Sequence, residues 1–272
     1  MLFTNQPAFI LHARPWRETS LLLEAFTRDH GRVGLVARGV RSARSRLPRA
    51  SLQPLQPLLL DWIARGELGT LTSAEPSGTR WRIKGDALLA GMYVNELVLR
   101  LTSRNDAHSA AFGAYTECLV RLAEESDIAW TLRRFERDLL ADLGYALMLD
   151  ATSSGGPVDA NEIYGYAAEA GPIAWREGST LPRVSGAALI ALDRDEKPGT
   201  AALEELRRLM RAIVRDLAGG HLGDHQDLPH RATAGVRSTT VSTRLSSLSR
   251  CVTTTTARPS PRHRQTCCQK SR

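Results

Sequence analysis

Cysteine is scarce in this sequence: it has only four, and no two of them form a Cys-x-x-Cys pair. We therefore expect neither a disulfide framework nor a zinc finger, because both need cysteines at regular spacings. Cys118 lies in an amphipathic segment and is predicted to be an inert core thiol. There is no apolar run of about 18 residues, the length of a membrane-spanning helix, and no signal-peptide pattern at the start. These absences favour a soluble, cytoplasmic protein.

Common catalytic motifs are missing as well. The sequence has no G-x-x-x-x-G-K-[ST] phosphate loop, no H-E-x-x-H, no G-x-S-x-G and no dinucleotide G-x-G-x-x-G. Metal-ligand residue types do occur at His221, Asp224, His225, Asp227 and His230. They open a segment for which we expect no packed fold. We therefore predict no catalytic residue, no metal site and no cofactor.

Positive charge is abundant, and it is concentrated at the two ends of the chain. The net charge is +7; residues 1–60 have nine arginines against three acidic residues, and residues 221–272 have nine basic residues against two acidic ones. Residues 81–220 have sixteen basic and twenty-one acidic residues. Because clustered cations release the counterions of a polyanion, the basic first sixty residues predict binding to nucleic acid or another polyanion.

The first eighty residues have the pattern of short strands separated by turns. Apolar or β-branched runs predict strands at residues 8–13, 19–26, 33–37, 55–63 and 68–73, with a turn at 28–31. Five short strands within about 75 residues fit a small Greek-key barrel of the OB kind, which binds single strands on one face and its loops.

From residue 86 onward the apolar period changes from two to about 3.6, which is typical of helices. Three stripes predict three helices that can pack as a bundle: Leu88, Met92, Asn95 and Leu99; Ala111, Tyr115, Cys118 and Leu122; Leu132, Phe135, Leu139 and Leu143. Gly144 predicts the end of the third helix. Two further helices are predicted at residues 185–192 and 201–218.

The resulting fold class is α+β. We predict an OB-fold barrel at residues 1–80 and a helical domain at 81–220 that carries a small irregular or β-like insertion at about 151–182. Residues 221–272 are rich in Ser and Thr without an apolar period, so we expect disorder there. The abrupt loss of pattern suggests, as a hypothesis, a frame-shifted or otherwise aberrant ending.

Two groups of cations in the first domain are candidate DNA contacts. The arginine-rich loop at residues 38–49 has five arginines, each able to pair bidentately with a phosphate, among small residues. The alternative is a solvated loop without a partner. His12, Arg14, Trp16 and Arg17 form a second group, in which a base can stack on the indole, although Trp16 could equally close the end of the barrel.

A third cationic group lies on the predicted third helix. Arg133 and Arg137 are four residues apart and therefore neighbours on one face, beside an apolar stripe, and Arg134 adjoins them. Such an edge would suit an acidic peptide with an aromatic end. The alternative is pairing within the helix, with Glu136 and Asp138.

Several segments resemble the bacterial RecO family of DNA repair and recombination mediators. They are Ala8-Phe-Ile-Leu-His-Ala-Arg-Pro-Trp-Arg-Glu-Thr-Ser, Gly31-Arg-Val-Gly-Leu-Val-Ala-Arg-Gly-Val-Arg-Ser, Leu52-Gln-Pro-Leu-Gln-Pro-Leu-Leu-Leu, Tyr93-Val-Asn-Glu-Leu, Leu132-Arg-Arg-Phe-Glu and Leu143-Gly-Tyr. They follow the family's order over roughly residues 6–220. The resemblance implies an OB-fold, a helical domain and no catalytic turnover.

The resemblance also implies partners: single- and double-stranded DNA, the acidic C-terminal tail of single-strand-binding protein, RecR, and a functional link to RecA, close to the nucleoid. The predicted DNA contacts are Arg14, Arg17, Arg32, Arg38, Arg41, Arg44, Arg46 and Arg49, and the predicted tail contacts are Arg133, Arg134 and Arg137. Many relatives carry a four-cysteine zinc module after the Leu-Gly-Tyr segment. Residues 150–159 contain no cysteine, so zinc is not expected here. A rival interpretation is an interaction adaptor without direct DNA contact; a nuclease would need a carboxylate cluster that the sequence lacks.

Overall fold

The N-terminal part of the chain is a closed five-stranded barrel. The computed structural model describes residues 1–42, 49–78 and 80–220, without the side chains of residues 49 and 220. The strands are β1 Leu2–Trp16, β2 Ser20–Thr27, β3 Gly31–Ala37, β4 Leu58–Arg65 and β5 Leu68–Pro76. Their order around the barrel is β1-β2-β3-β5-β4, which confirms the predicted OB-fold.

β1 closes the barrel because it serves two neighbours in turn. Its first half pairs with β4, and its second half, from Ala8, pairs with β2 across a register shift between Ile10 and His12. β1 is much longer than the predicted strand at residues 8–13, because its two ends lack the continuous apolar run from which that strand was predicted. β4 begins only at Leu58, because Pro57 has no N–H to donate to a ladder.

The helical part follows the barrel directly. Its helices are α1 Gly85–Leu101, α2 Ser109–Ala123, α3 Ile128–Asp142, α4 Gly186–Asp193 and α5 Thr200–Gly220. Between α3 and α4 lies a three-stranded antiparallel sheet of β6 Ile163–Ala167, β7 Gly171–Ala174 and β8 Arg183–Ser185, in the order β7-β6-β8. The insertion is therefore β-structured, the second of the two forms predicted for it.

The predicted stripe of α2 is buried, with Cys118 a core thiol whose pKa burial raises. The predicted stripe of α1 is wrong in part: Leu88 and Met92 are 43% and 39% exposed. The side of α1 that contains Gly91 is buried instead, and a Cβ on Gly91 would lie 2.7 Å from Leu55 Cδ1. The buried face of α1 is thus set by its close approach to the barrel side of the molecule, which the apolar period of the sequence does not indicate.

The barrel and the helices meet at a junction formed by the β2–β3 turn and the α1–α2 loop. Gly31 has φ +61°, and a Cβ there would lie 1.6 Å from the Asp106 carbonyl oxygen. The Asn105 N–H donates to the Arg32 carbonyl at 2.8 Å, and the buried Asn95 amide donates to the Leu11 carbonyl at 3.0 Å.

Outward-facing barrel residues complete this contact. Phe9, Leu11 and Phe26 belong to the same buried cluster as α1, α2 and α3. The domain limits at residues 80 and 220 stay predictions. No helix in the described part of the chain is long and apolar enough to cross a membrane.

Candidate nucleic-acid interface

One end of the barrel brings together the two cationic groups predicted in the first domain. The Arg41 backbone N–H donates to the Thr19 carbonyl at 2.9 Å, and the Arg41 guanidinium lies 3.5 Å from the Arg17 carbonyl. Arg17 itself takes a left-handed backbone, φ 53°, in the β1–β2 turn. The base of the arginine-rich loop is thus fastened to that turn, although the two are more than twenty residues apart.

The cations at this end are exposed. Arg14, Arg17, Arg38 and Arg41 all have exposed side chains, and no ion pair engages them among the residues that the structure describes. Arg14 pairs with Leu22 across the β1–β2 ladder, three residues from Thr19, so it belongs to the same end. Unpaired charges that are mainly of one sign raise the local potential and concentrate a polyanion.

Trp16 and His12 flank this surface on β1. His12 is exposed, and Trp16 is half-buried opposite Ser20, where β1 ends. Neither ring pairs with another aromatic ring in the described ranges. Base stacking on Trp16 and closure of the barrel end by Trp16 both stay predictions.

Arg32 occupies a different environment from the other predicted DNA contacts. Its guanidinium donates to Glu24 at 3.0 Å and to the Thr102 carbonyl at 2.8 Å, at the junction. Burial lowers the pKa of Arg32 and outweighs the opposing effect of Glu24. Arg104 pairs with the same carboxylate. These two hydrogen bonds of Arg32 therefore serve the fold, and a DNA contact by Arg32 stays a prediction.

The middle of the arginine-rich loop lies outside the described residues. This applies to Arg44 and Arg46 entirely and to the side chain of Arg49, whose backbone opens a short 3₁₀ helix, Arg49–Ser51. The five residues of the tail with metal-ligand side chains also lie outside. Within the described ranges no group of three or more His, Cys, Asp or Glu residues has the geometry to hold a metal ion.

The third predicted cationic group splits into a buried member and two surface members. Arg133 is buried and donates to Glu136 at 2.6 Å, and Glu136 also accepts from the Tyr93 hydroxyl at 2.6 Å. The pairing of Arg133 with Glu136, the alternative weighed from the sequence, is what the structure has. The same buried triad joins two of the segments that resemble the RecO family.

Arg134 and Arg137 lie at the surface, where both contact a single carboxylate. Asp195, in the turn between α4 and α5, pairs with Arg134 and accepts from Arg137 at 3.2 Å. Arg137 also donates to Asp138 at 2.7 Å and to the Leu192 carbonyl at 2.6 Å. These two guanidinium groups therefore already bind a carboxylate in the free protein.

Sequence reasoning missed the acidic partners Glu24 and Asp195, and it identified Glu136 as the alternative partner within the helix. Glu136 was detectable because it lies three residues from Arg133 on one helix. Asp195 is 61 residues from Arg134, and Glu24 is 80 residues from Arg104. No local spacing signals such pairs.

Comparison with known proteins decides the family. The family model for the N-terminal part of recombination protein O matches residues 1–80, and that for its C-terminal part matches residues 83–225. The DNA repair protein RecO of Xanthomonas oryzae pv. oryzae (strain PXO99A) is 44% identical over 224 residues, covering 81% of this chain and 93% of the relative. The chain belongs to the RecO family.

Other RecO proteins agree. DNA repair protein RecO of Aromatoleum aromaticum is 45% identical over 218 residues, covering 79% of this chain and 90% of its own length. The DNA repair protein RecO of Stenotrophomonas maltophilia (strain R551-3) is 42% identical over 226 residues, covering 82% of this chain and 93% of its own length. The protein is thus a RecO-family DNA repair protein with an OB-fold barrel, as the sequence motifs predicted.

Proposed function

We propose that this RecO-family protein acts as a recombination mediator that binds single- and double-stranded DNA and anneals complementary strands. In this proposal it also engages the acidic tail of single-strand-binding protein and, together with RecR, assists the loading of RecA. It needs no catalytic residue and no cofactor for these steps. Family membership supports the overall role, and the surfaces of the chain support the individual contacts.

The observation that carries the DNA contact is the attachment of Arg41 to the β1–β2 turn. It places Arg14, Arg17, Arg38 and Arg41 at one end of an OB barrel, without described acidic partners. OB folds bind oligonucleotides with this type of loop surface. Annealing follows physically, because two strands repel each other less once arginines neutralise their phosphates.

The proposed tail contact lies on the other part of the molecule, at Arg134 and Arg137. A peptide carboxylate would replace Asp195 between the two guanidinium groups, with similar geometry. Arg133, adjacent in sequence, is buried in its own pair with Glu136. The peptide carboxylate competes with Asp195 for the two arginines, so the affinity for the peptide depends on how easily Asp195 is displaced from them.

A salt titration of DNA binding tests the proposal. For single strands, log affinity falls with log salt by about 0.7 per phosphate contact, so replacing Arg14, Arg17, Arg38 and Arg41 by Ala should flatten the slope by up to about 3. A matched control is R176A/R194A/R208A/R215A, which replaces four exposed arginines outside the barrel. Wild-type protein without salt-dependent binding, or a quadruple variant with the wild-type slope, would favour the adaptor that does not contact DNA.

A further inference from the structure

Residues 80–84, which lead from the barrel into the first helix, form a connector whose side chains alternate in exposure. Arg80, Arg82 and Lys84 are exposed, whereas Trp81 and Ile83 are half-buried. Trp81 and Ile83 pack against the core shared by barrel and helices. Anchored by these two apolar residues, the connector holds its three cations toward solvent.

The connector backbone is held in place by the segment that leaves the arginine-rich loop. Gln56 donates its side-chain amide to the Trp81 carbonyl at 3.0 Å and accepts from the Trp81 N–H, also at 3.0 Å. The Trp81 ring stacks on Phe9 of β1, with ring centroids 5.8 Å apart. A ligand that contacts the connector therefore finds its backbone already ordered, which lowers the entropic cost of binding.

The three cations of the connector are unpaired among the residues that the structure describes. Arg80, Arg82 and Lys84 make no ion pair or side-chain hydrogen bond within the part of the chain that the structure describes. On the neighbouring helix, by contrast, Arg100 pairs with Glu96 one turn away. Residues 81–220 are acidic on balance, with sixteen basic against twenty-one acidic residues, so three unpaired cations within five residues are a local exception.

The start of α1 reinforces the positive potential at the connector. Lys84 is the N-cap of α1, and its side chain accepts no hydrogen bond from the first N–H groups of the helix. The partial positive charge of the helix N-terminus is therefore not reduced by this residue. Asp86 is the acidic residue of the first turn and offsets part of this field. Three cations at a helix start remain a favourable environment for an anion such as phosphate.

We propose that the connector is a second phosphate-binding segment, which extends the path of a DNA single strand from the barrel end onto the start of the helical part. The proposal rests on the proposed DNA-binding function. β1 links the two places: Phe9 lies under Trp81, and Arg14, five residues further, is about 17 Å away along the strand. One strand within the usual OB-fold site size of about 4–16 nucleotides can reach both.

The test uses the triple variant R80A/R82A/K84A of the full chain and fluorescence anisotropy with two oligothymidylates, of about 4 and about 24 nucleotides. On the longer one, three lost contacts should flatten the log–log salt slope by about 2. The shorter one, filled by the barrel end, should keep most of the wild-type slope. The matched control R176A/R194A/R208A removes the same charge from the insertion, the α4–α5 turn and α5.

The outcomes distinguish a failure of this proposal from a failure of the proposed DNA-binding function. The connector has no such role if its triple variant keeps the wild-type slope on the longer oligonucleotide, or if the control triple flattens the slope equally, since net charge alone then explains the loss. Wild-type protein that shows no salt-dependent DNA binding removes the proposed function itself. Circular dichroism of each variant checks that a loss of binding does not reflect a loss of fold.

Discussion

Arg133 and Glu136 are an ion pair removed from solvent, with side chains 5% and 1% exposed. Burial raises the pKa of Tyr93 well above its ordinary value, with Glu136 adding to the effect, so the phenol stays a donor to that carboxylate. Arg133 Nε and Glu136 Oε2 lack hydrogen-bond partners among the described residues. Two buried charges of this kind stabilise the fold only as a pair, because removing one leaves the other desolvated and without a counter-charge.

The variant R133A should therefore destabilise the protein by about 3–5 kcal/mol, because it leaves Glu136 buried without its cation. Urea unfolding followed by circular dichroism measures this. R134A is the surface control and should cost about 1 kcal/mol or less. R133M/E136L, which removes both charges, should recover most of the loss. If R133A kept wild-type stability but lost peptide binding, Arg133 would be a direct peptide contact instead.

Asp195 limits access to Arg134 and Arg137 by occupying both. The variant D195N removes the competing charge and keeps a residue that tolerates the left-handed backbone at this position, φ 58°. We expect it to bind an acidic peptide with a C-terminal aromatic residue several-fold more tightly, as measured by fluorescence anisotropy. D193N, at an exposed aspartate just before it, should leave the affinity unchanged. Weaker binding by D195N would show that Asp195 positions the arginines rather than blocking them.

At the scale of elements, the start of α3 depends on one carboxylate. Asp127 accepts from the Trp130 N–H at 2.9 Å and pairs with Lys197 at 2.8 Å. Burial alone would raise the pKa of Asp127, but the bonds from Lys197 and Trp130 outweigh it and lower that pKa below its ordinary value of 3.8. A lowered folded-state pKa stabilises the fold above the ordinary value, and this contribution is lost as the pH falls through the folded value.

D127A should thus cost about 1 kcal/mol at neutral pH, the usual value of an N-cap. The difference from wild type should shrink as the pH falls below about 4, where the unfolded aspartate takes up its proton. Urea unfolding at neutral and acidic pH measures both values. A difference that stays constant down to the lowest accessible pH would mean that the carboxylate charge contributes nothing.

Elements were predictable from the sequence where local period decides structure. The α2 stripe is buried as expected, and five short apolar or β-branched runs correctly indicated an OB barrel. The exposed side of α1 was not predictable, because Gly91 faces Leu55 of a distant loop. The same limit applies to the site: charge density indicated the arginine-rich loop, whereas Asp195, which occupies Arg134, is brought there only by tertiary packing.

On the scale of the whole molecule, the junction joins the barrel to the helices. G31A should weaken it severely, since its Cβ would collide with the Asp106 carbonyl in a backbone at φ +61°. We expect a loss of more than about 3 kcal/mol in urea unfolding, where strain of the left-handed backbone alone costs about 1–2. G39A isolates that strain, because Gly39 has φ +68° but no atom within 4 Å of an added Cβ. Equal losses would show that the close approach is unimportant.

The proposed division of work between the two parts predicts how annealing depends on the coat of the DNA. R134A/R137A should slow annealing of strands coated with single-strand-binding protein and leave naked strands unaffected, because the proposal assigns these arginines to the tail and not to the phosphates. R17A/R41A should slow both reactions, since their charge is at the barrel end. The reference is annealing of strands coated with single-strand-binding protein that lacks its tail. On that coat the wild-type rate should equal the rate of R134A/R137A on the intact coat. If wild type anneals equally fast on both coats, the helical part does not recognise the tail, and only the barrel contact with DNA is left to explain annealing.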